Sequence, residues 1–163
     1  QDYLYESRPD SRTRHSLFWQ TKYHLTEDVI DLSYRYMTDD WGIKSHTLDL
    51  RYRFEMSNDS YLEPHVRFYT QTAADFYRYF LVQGQATPQF ASADPRLGQF
   101  DATTFGVKYG KLLSKDSEFS VRVEQYAQKG NSTPSEAIGQ LKTQNLFPDL
   151  NALVVQFGYS FSF

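Results

Sequence analysis

An all-β fold is predicted: an antiparallel up-and-down transmembrane β-barrel or its C-terminal part, with about seven strands in this chain. Three observations predict it. Apolar and polar residues alternate with a period of two over segment after segment, as strands with one apolar and one polar face require. Short and long connections alternate between those segments, as they do where turns gather at one end of a barrel and loops at the other. The chain closes on Gln156-Phe157-Gly158-Tyr159-Ser160-Phe161-Ser162-Phe163, with Phe157, Tyr159, Phe161 and Phe163 on one parity and small polar residues on the other.

Composition narrows the class. The 163 residues suit one domain, and 17% aromatic content with a negative mean hydropathy matches strands that spend alternate positions on lipid and on a polar interior. No run of about 18 apolar residues exists, which excludes a helical membrane protein. The formal net charge of −3 comes from scattered charges of both signs, so there is no basic stripe and no nucleic-acid partner is expected. Cysteine is absent, which excludes disulfides, thiolate metal sites and cysteine nucleophiles.

Taken in order, residues 1–12 read as the end of a preceding strand and an extracellular loop, with Pro9-Asp10 as its turn signal. From residue 13 to 163 barrel strands are expected. The first, Thr13 to Leu25, alternates Leu17, Trp19, Tyr23 and Leu25 with Arg14, Ser16, Gln20, Lys22 and His24. The second, Val29 to Met37, sets Ile30, Leu32, Tyr34 and Tyr36 outward and Asp31, Ser33 and Arg35 inward. The third, His46 to Met56, opposes Leu48, Leu50, Tyr52 and Phe54 to Asp49, Arg51, Arg53 and Glu55. The fourth is expected from Tyr61 to about Tyr79, the fifth from Phe100 to Leu113, the sixth from Glu118 to Gln128, and the last runs to the terminus. Turns at 26–28, 57–60 and 114–117 are short. The loops near 38–45, 82–97 and 129–151 are expected to be longer and extracellular. Seven strands would leave Gln1 outside the cell, whereas single-chain bacterial barrels have an even count, so upstream strands or another chain are expected to complete the barrel.

Two resemblances follow from these residues. The terminal pattern Gln156, Gly158, Phe161, Phe163 resembles the C-terminal signal of bacterial outer-membrane barrels. It implies an outer-membrane location, lipid contact and recognition by the barrel-assembly machinery. The segments Arg8-Pro9-Asp10-Ser11-Arg12, Tyr34 through Leu48 with Asp39-Asp40-Trp41-Gly42 at their centre, Leu62 through Tyr77, and Ser92 through Gly98 look like the C-terminal half of an outer-membrane family known as a domain of unknown function (thirty-five seventy). That resemblance implies further strands and a signal peptide upstream in longer members, and no assigned activity. Its genes often lie near a flavin transferase and a small lipoprotein, which implies a role in an envelope redox system as one alternative.

Few residues invite catalysis. Asp39-Asp40 and His46 fall at adjoining strand ends, as a rim hydrolase would need, but Asp-Asp-Trp-Gly is also an ordinary loop with an interfacial Trp. His24, His46 and His65 form no close ligand pair, so no metal site and no cofactor are expected. The inward row is more informative: Arg35, Asp49, Arg51, Arg53, Glu55, Glu63, His65, Arg67, Lys108, Arg122 and Glu124 would line the lumen with both signs of charge. It reads either as a water-filled path or as a ladder of cross-strand ion pairs. The expected function is a non-catalytic porin-like channel or scaffold. The alternatives are a partner-binding component of an envelope electron-transfer system and, last, an outer-membrane hydrolase.

Overall fold

A computed structural model describes residues 6–56 and 59–162. Phe163 of the terminal signal, residues 1–5 of the expected preceding strand, and Ser57 and Asn58 of the expected turn lie outside the described residues. The fold is an all-β antiparallel meander of seven strands: β1 (Arg14–His24), β2 (Val29–Asp39), β3 (Lys44–Met56), β4 (Ser60–Gln71), β5 (Phe100–Ser114), β6 (Ser117–Gly130) and β7 (Leu150–Phe161). Each strand pairs only with its sequence neighbours, and β1 and β7 are the two open edges of one sheet.

Register keeps the alternation in step across the sheet. Trp19 lies opposite Tyr34, Tyr34 opposite Leu48, Leu48 opposite Phe68, and farther along Val107 opposite Val123 and Val123 opposite Val155. Directly opposed residues point to the same side, so these positions form one continuous apolar face. That face is uncovered: Trp19, Leu50, Phe68, Phe105, Phe157 and Phe161 are all exposed, Phe157 to 73%.

Two expectations about connections change. The fourth strand stops at Gln71 instead of running to Tyr79. Its neighbour β3 begins at Lys44 and its neighbour β5 at Phe100, so beyond Gln71 the ladder has no partner. Residues 72–79 leave the sheet, and Phe76, inside the expected strand, is buried in the cap. Half of the expected loop 38–45 is strand, because β2 continues to Asp39 and β3 starts at Lys44. Only Asp40 to Ile43 turn. Asp39 templates that turn: its carboxylate accepts from the backbone N–H of Trp41 at 3.1 Å and of Ile43 at 2.9 Å, and Arg12 clamps its other oxygen. Gly42 sits there at φ +85°, and a Cβ on it would overlap the Asp75 carboxylate, so both backbone freedom and lack of a side chain are used.

The apolar core lies in a cap at one end of the sheet. Ile43, Ala74, Phe76, Tyr77, Leu97 and Phe147 form it, with Met37, Trp41 and Phe100 packed against them. The cap comes from the 40–43 turn and the two long connections, 72–99 and 131–149. It rests on the polar side of the sheet: Phe100 packs between Tyr69 and Phe147 at centroid distances of 5.5 and 6.2 Å. Gln71 donates its amide to the carbonyls of Gly98 at 2.6 Å and Arg96 at 3.0 Å. Backbone polar groups of an irregular segment need such partners once buried.

Candidate functional site: the charged face of the sheet

All eleven residues expected in the inward row fall on the face opposite the apolar one, brought level by the register. Asp49 lies opposite Arg67, Arg51 opposite His65, Glu63 opposite Lys108, Lys108 opposite Arg122, and Glu124 opposite Gly106. Two linked clusters result.

The upper cluster centres on His65, which is 5% exposed. Its Nε2 lies 3.0 Å from Asp49 Oδ2 and its Nδ1 lies 2.8 Å from Glu124 Oε1, so one ring bridges β3 and β6 across β4 and β5. Gly106 makes this reach feasible, because a Cβ there would collide with Glu124. Arg67 donates to the same Asp49 oxygen at 2.7 Å, and Arg51 Nε stands 3.5 Å from the other. Arg122 sits between Glu63 and Glu124 at 3.6 and 3.7 Å.

The lower cluster centres on Tyr61, which sequence reasoning passed over although it shares the parity of Glu63 and His65. It is almost wholly buried, its hydroxyl donates to Glu118 at 2.6 Å, and Lys108 donates to the same carboxylate at 3.2 Å. The Arg53 guanidinium lies 3.6 Å from the ring centroid, close enough for a cation–π contact. Glycine is required opposite the ring: a Cβ on Gly110 would stand 2.2 Å from Tyr61.

Other expected groups are not brought together. Asp39 points to the charged face, held by Arg12, while His46 lies on the apolar face. There its Nδ1 meets the Tyr34 hydroxyl at 2.7 Å and its ring packs 5.0 Å from Tyr36. Asp40 is occupied by the backbone N–H of Thr13. Asp39, Asp40 and His46 therefore share no centre. In the terminal strand Gln156 and Gly158 face the charged side, opposite Arg122 and Ser120, and Phe161 faces the apolar side.

The cap carries its own charged clasp. Asp94 accepts from Arg96 through several contacts down to 2.6 Å and from Arg8 at 3.2 Å. The Arg96 hydrogen bond above all holds the Asp94 carboxyl down at about 2. The Ser92 hydroxyl lowers Glu6 likewise. Burial pushes the Tyr77 phenol up to about 12.

Fold and site together define a class: an antiparallel β-meander with one bare apolar face, one ion-paired face and a loop cap at one end. Within that class, the chain belongs to the family described as "Protein of unknown function (DUF3570)", whose model matches residues 1–161. No curated protein matches the chain.

Proposed function

We propose that the chain is a sector of a bacterial outer-membrane β-barrel, with the apolar face against hydrocarbon, the charged face toward an aqueous interior and the cap at the extracellular mouth. In this reading it acts as a non-catalytic porin-like channel or scaffold. One observation carries the proposal: a bare apolar face that runs unbroken across all seven strands, with no second layer over it among the described residues. A water-soluble sandwich buries such a face against another sheet. The strands are 11 to 15 residues long, enough for the ~9–11 that a tilted strand needs to cross a bilayer.

A second use, docking of an extracellular partner or electron-transfer component, is favoured by an open recess of about 1180 Å³ in the cap. Tyr79, Leu81 and Ile138 line it, the last two exposed.

Because the chain has no cysteine, single thiols introduced at Leu50, Phe105 and Thr104 report each face cleanly. In outer-membrane vesicles, Leu50→Cys and Phe105→Cys should react with a lipid-soluble maleimide and resist a charged one. Thr104→Cys should resist the lipid-soluble reagent. Equal reaction of all three with the charged reagent would remove the membrane proposal. Ion conductance in planar bilayers then separates a channel from a plugged scaffold.

A further inference from the structure

The charged face contains a recess of about 630 Å³, within the ~300–1,000 Å³ of small-molecule sites. Short side chains such as Ser33, Ala102 and Thr104 leave the space open, and Arg35, Arg51 and Arg67 project into it from three adjacent strands. Register sets the three on successive levels. Arg35 is level with Thr47 and Tyr69, Arg67 with Asp49 and Ser33, and Arg51 with His65 and Asp31. Each level is two residues from the next, about 7 Å at strand rise. The guanidinium groups therefore form a staircase along the wall.

Their charge is under-compensated. Arg51 and Arg67 share Asp49, which also takes His65. Asp31, the other carboxylate lining the recess, is engaged by Gln20 at 2.7 Å and Lys22 at 3.3 Å. Among the described residues Arg35 has no ion pair, and its guanidinium lies 5.1 Å from the Phe18 ring centroid. Arg51 Nε is buried and makes no hydrogen bond, with Asp49 Oδ1 3.5 Å away as a long ion-pair contact. Guanidinium forks match carboxylate and phosphate oxygens, and they act more strongly beside low-dielectric walls than in bulk water.

We infer that this recess is a binding site for a small oxyanion, a carboxylate or phosphate group taken by Arg35 and Arg67 with Arg51 below them. The inference rests on the proposal that the charged face borders water, and it supplies a ligand class for that interior. Arg35 is the informative position, because its loss strands no carboxylate.

The test is isothermal titration of the full chain, folded in detergent, with sodium phosphate and separately with sodium succinate at constant chloride ionic strength. Saturable binding of at least one anion is expected. Arg35→Gln should weaken it at least tenfold, Arg35→Lys less, and Lys142→Gln, in the cap, should leave it unchanged. Which anion binds distinguishes phosphate from carboxylate recognition. Absence of saturable binding by either to protein with an intact strand signal, or equal affinity in Arg35→Gln, overturns the inference. The thiol-labelling experiment reports on the membrane separately: a lipid-facing sheet that binds neither anion loses only the oxyanion site.

Discussion

His65 shows how much a single side chain is asked to hold. Both of its ring nitrogens lie within hydrogen-bond distance of carboxylate oxygens, Nε2 at 3.0 Å from Asp49 and Nδ1 at 2.8 Å from Glu124. Removing the ring leaves two carboxylates facing a buried gap, and breaking a buried ionic network in this way costs roughly 3–5 kcal/mol. His65→Leu should therefore lower the unfolding free energy by about 3 kcal/mol, toward the lower end of that range because Arg67 and Arg122 remain as partners. Urea unfolding of the detergent-held protein, followed by tryptophan fluorescence, measures it. His65→Leu/Glu124→Leu should recover part of the loss, since the double change also removes one of the two carboxylates that faced the ring. If the single variant is as stable as the parent, the triad is decorative and the ion-paired account of this face fails.

At the scale of elements, the strands were legible and the cap was not, for one reason. A strand writes its two faces at every second residue, so the outer rows of β2, β3 and β6 could be read directly, and with them the side taken by the eleven residues of the expected inward row, though not Glu118. The cap has no period. Ile43, Ala74, Leu97 and Phe147 come from three separate connections and meet only in three dimensions. Residues 72–79 kept enough aromatic character to pass for more strand, and nothing local says that the neighbouring strands have already ended. Tyr61 was missed because a tyrosine at a strand start looks interfacial, and only the bare glycine opposite it, Gly110, reveals where the ring goes. The clasp on the cap has a testable pH dependence. Asp94 is held at about 2 by Arg96, below the ~4 of an unfolded aspartate, so its contribution is complete above pH ~4 and is lost as pH falls through about 2. Pepsin, active across that window, should cut within 72–99 increasingly from pH 4 to pH 2 while the strands stay intact. Asp94→Asn should make cutting at pH 4 resemble that of the parent at pH 2. A parent cleavage rate flat in pH, after correction on an unfolded substrate, would show that Asp94 does not fasten the loop.

For the whole molecule the governing question is how the two open edges are satisfied. β1 runs from the cap end, where Arg14 pairs with Asp39, to the turn end, where His24 pairs with Val29. β7 begins at Leu150 beside Gln128, next to the long connection 131–149, and finishes at Phe161 beside Ser117 at the turn end. Both edges thus run in the same direction. Direct closure of β7 onto β1 would create a parallel pair in a sheet that is antiparallel everywhere else. Antiparallel closure needs an odd number of further strands, supplied by the same polypeptide or by another chain, and gives the even total that outer-membrane barrels use. In the outer-membrane reading proposed above, an unsatisfied edge in hydrocarbon would leave a row of backbone donors and acceptors without partners, at several kcal/mol per group, so that reading requires further strands along both edges. The prediction is that Tyr23→Cys combined in turn with Leu153→Cys, Val155→Cys or Phe157→Cys forms no disulfide within one chain under mild oxidation. Val123→Cys/Val155→Cys, directly opposed across β6 and β7, should bridge readily, since linked residues need Cα atoms within about 7 Å. Mass spectrometry of the linked peptides reads both. An intrachain bridge from Tyr23 to β7 would mean that seven strands close on themselves through a parallel seam, and the parity argument for further strands would fall with it.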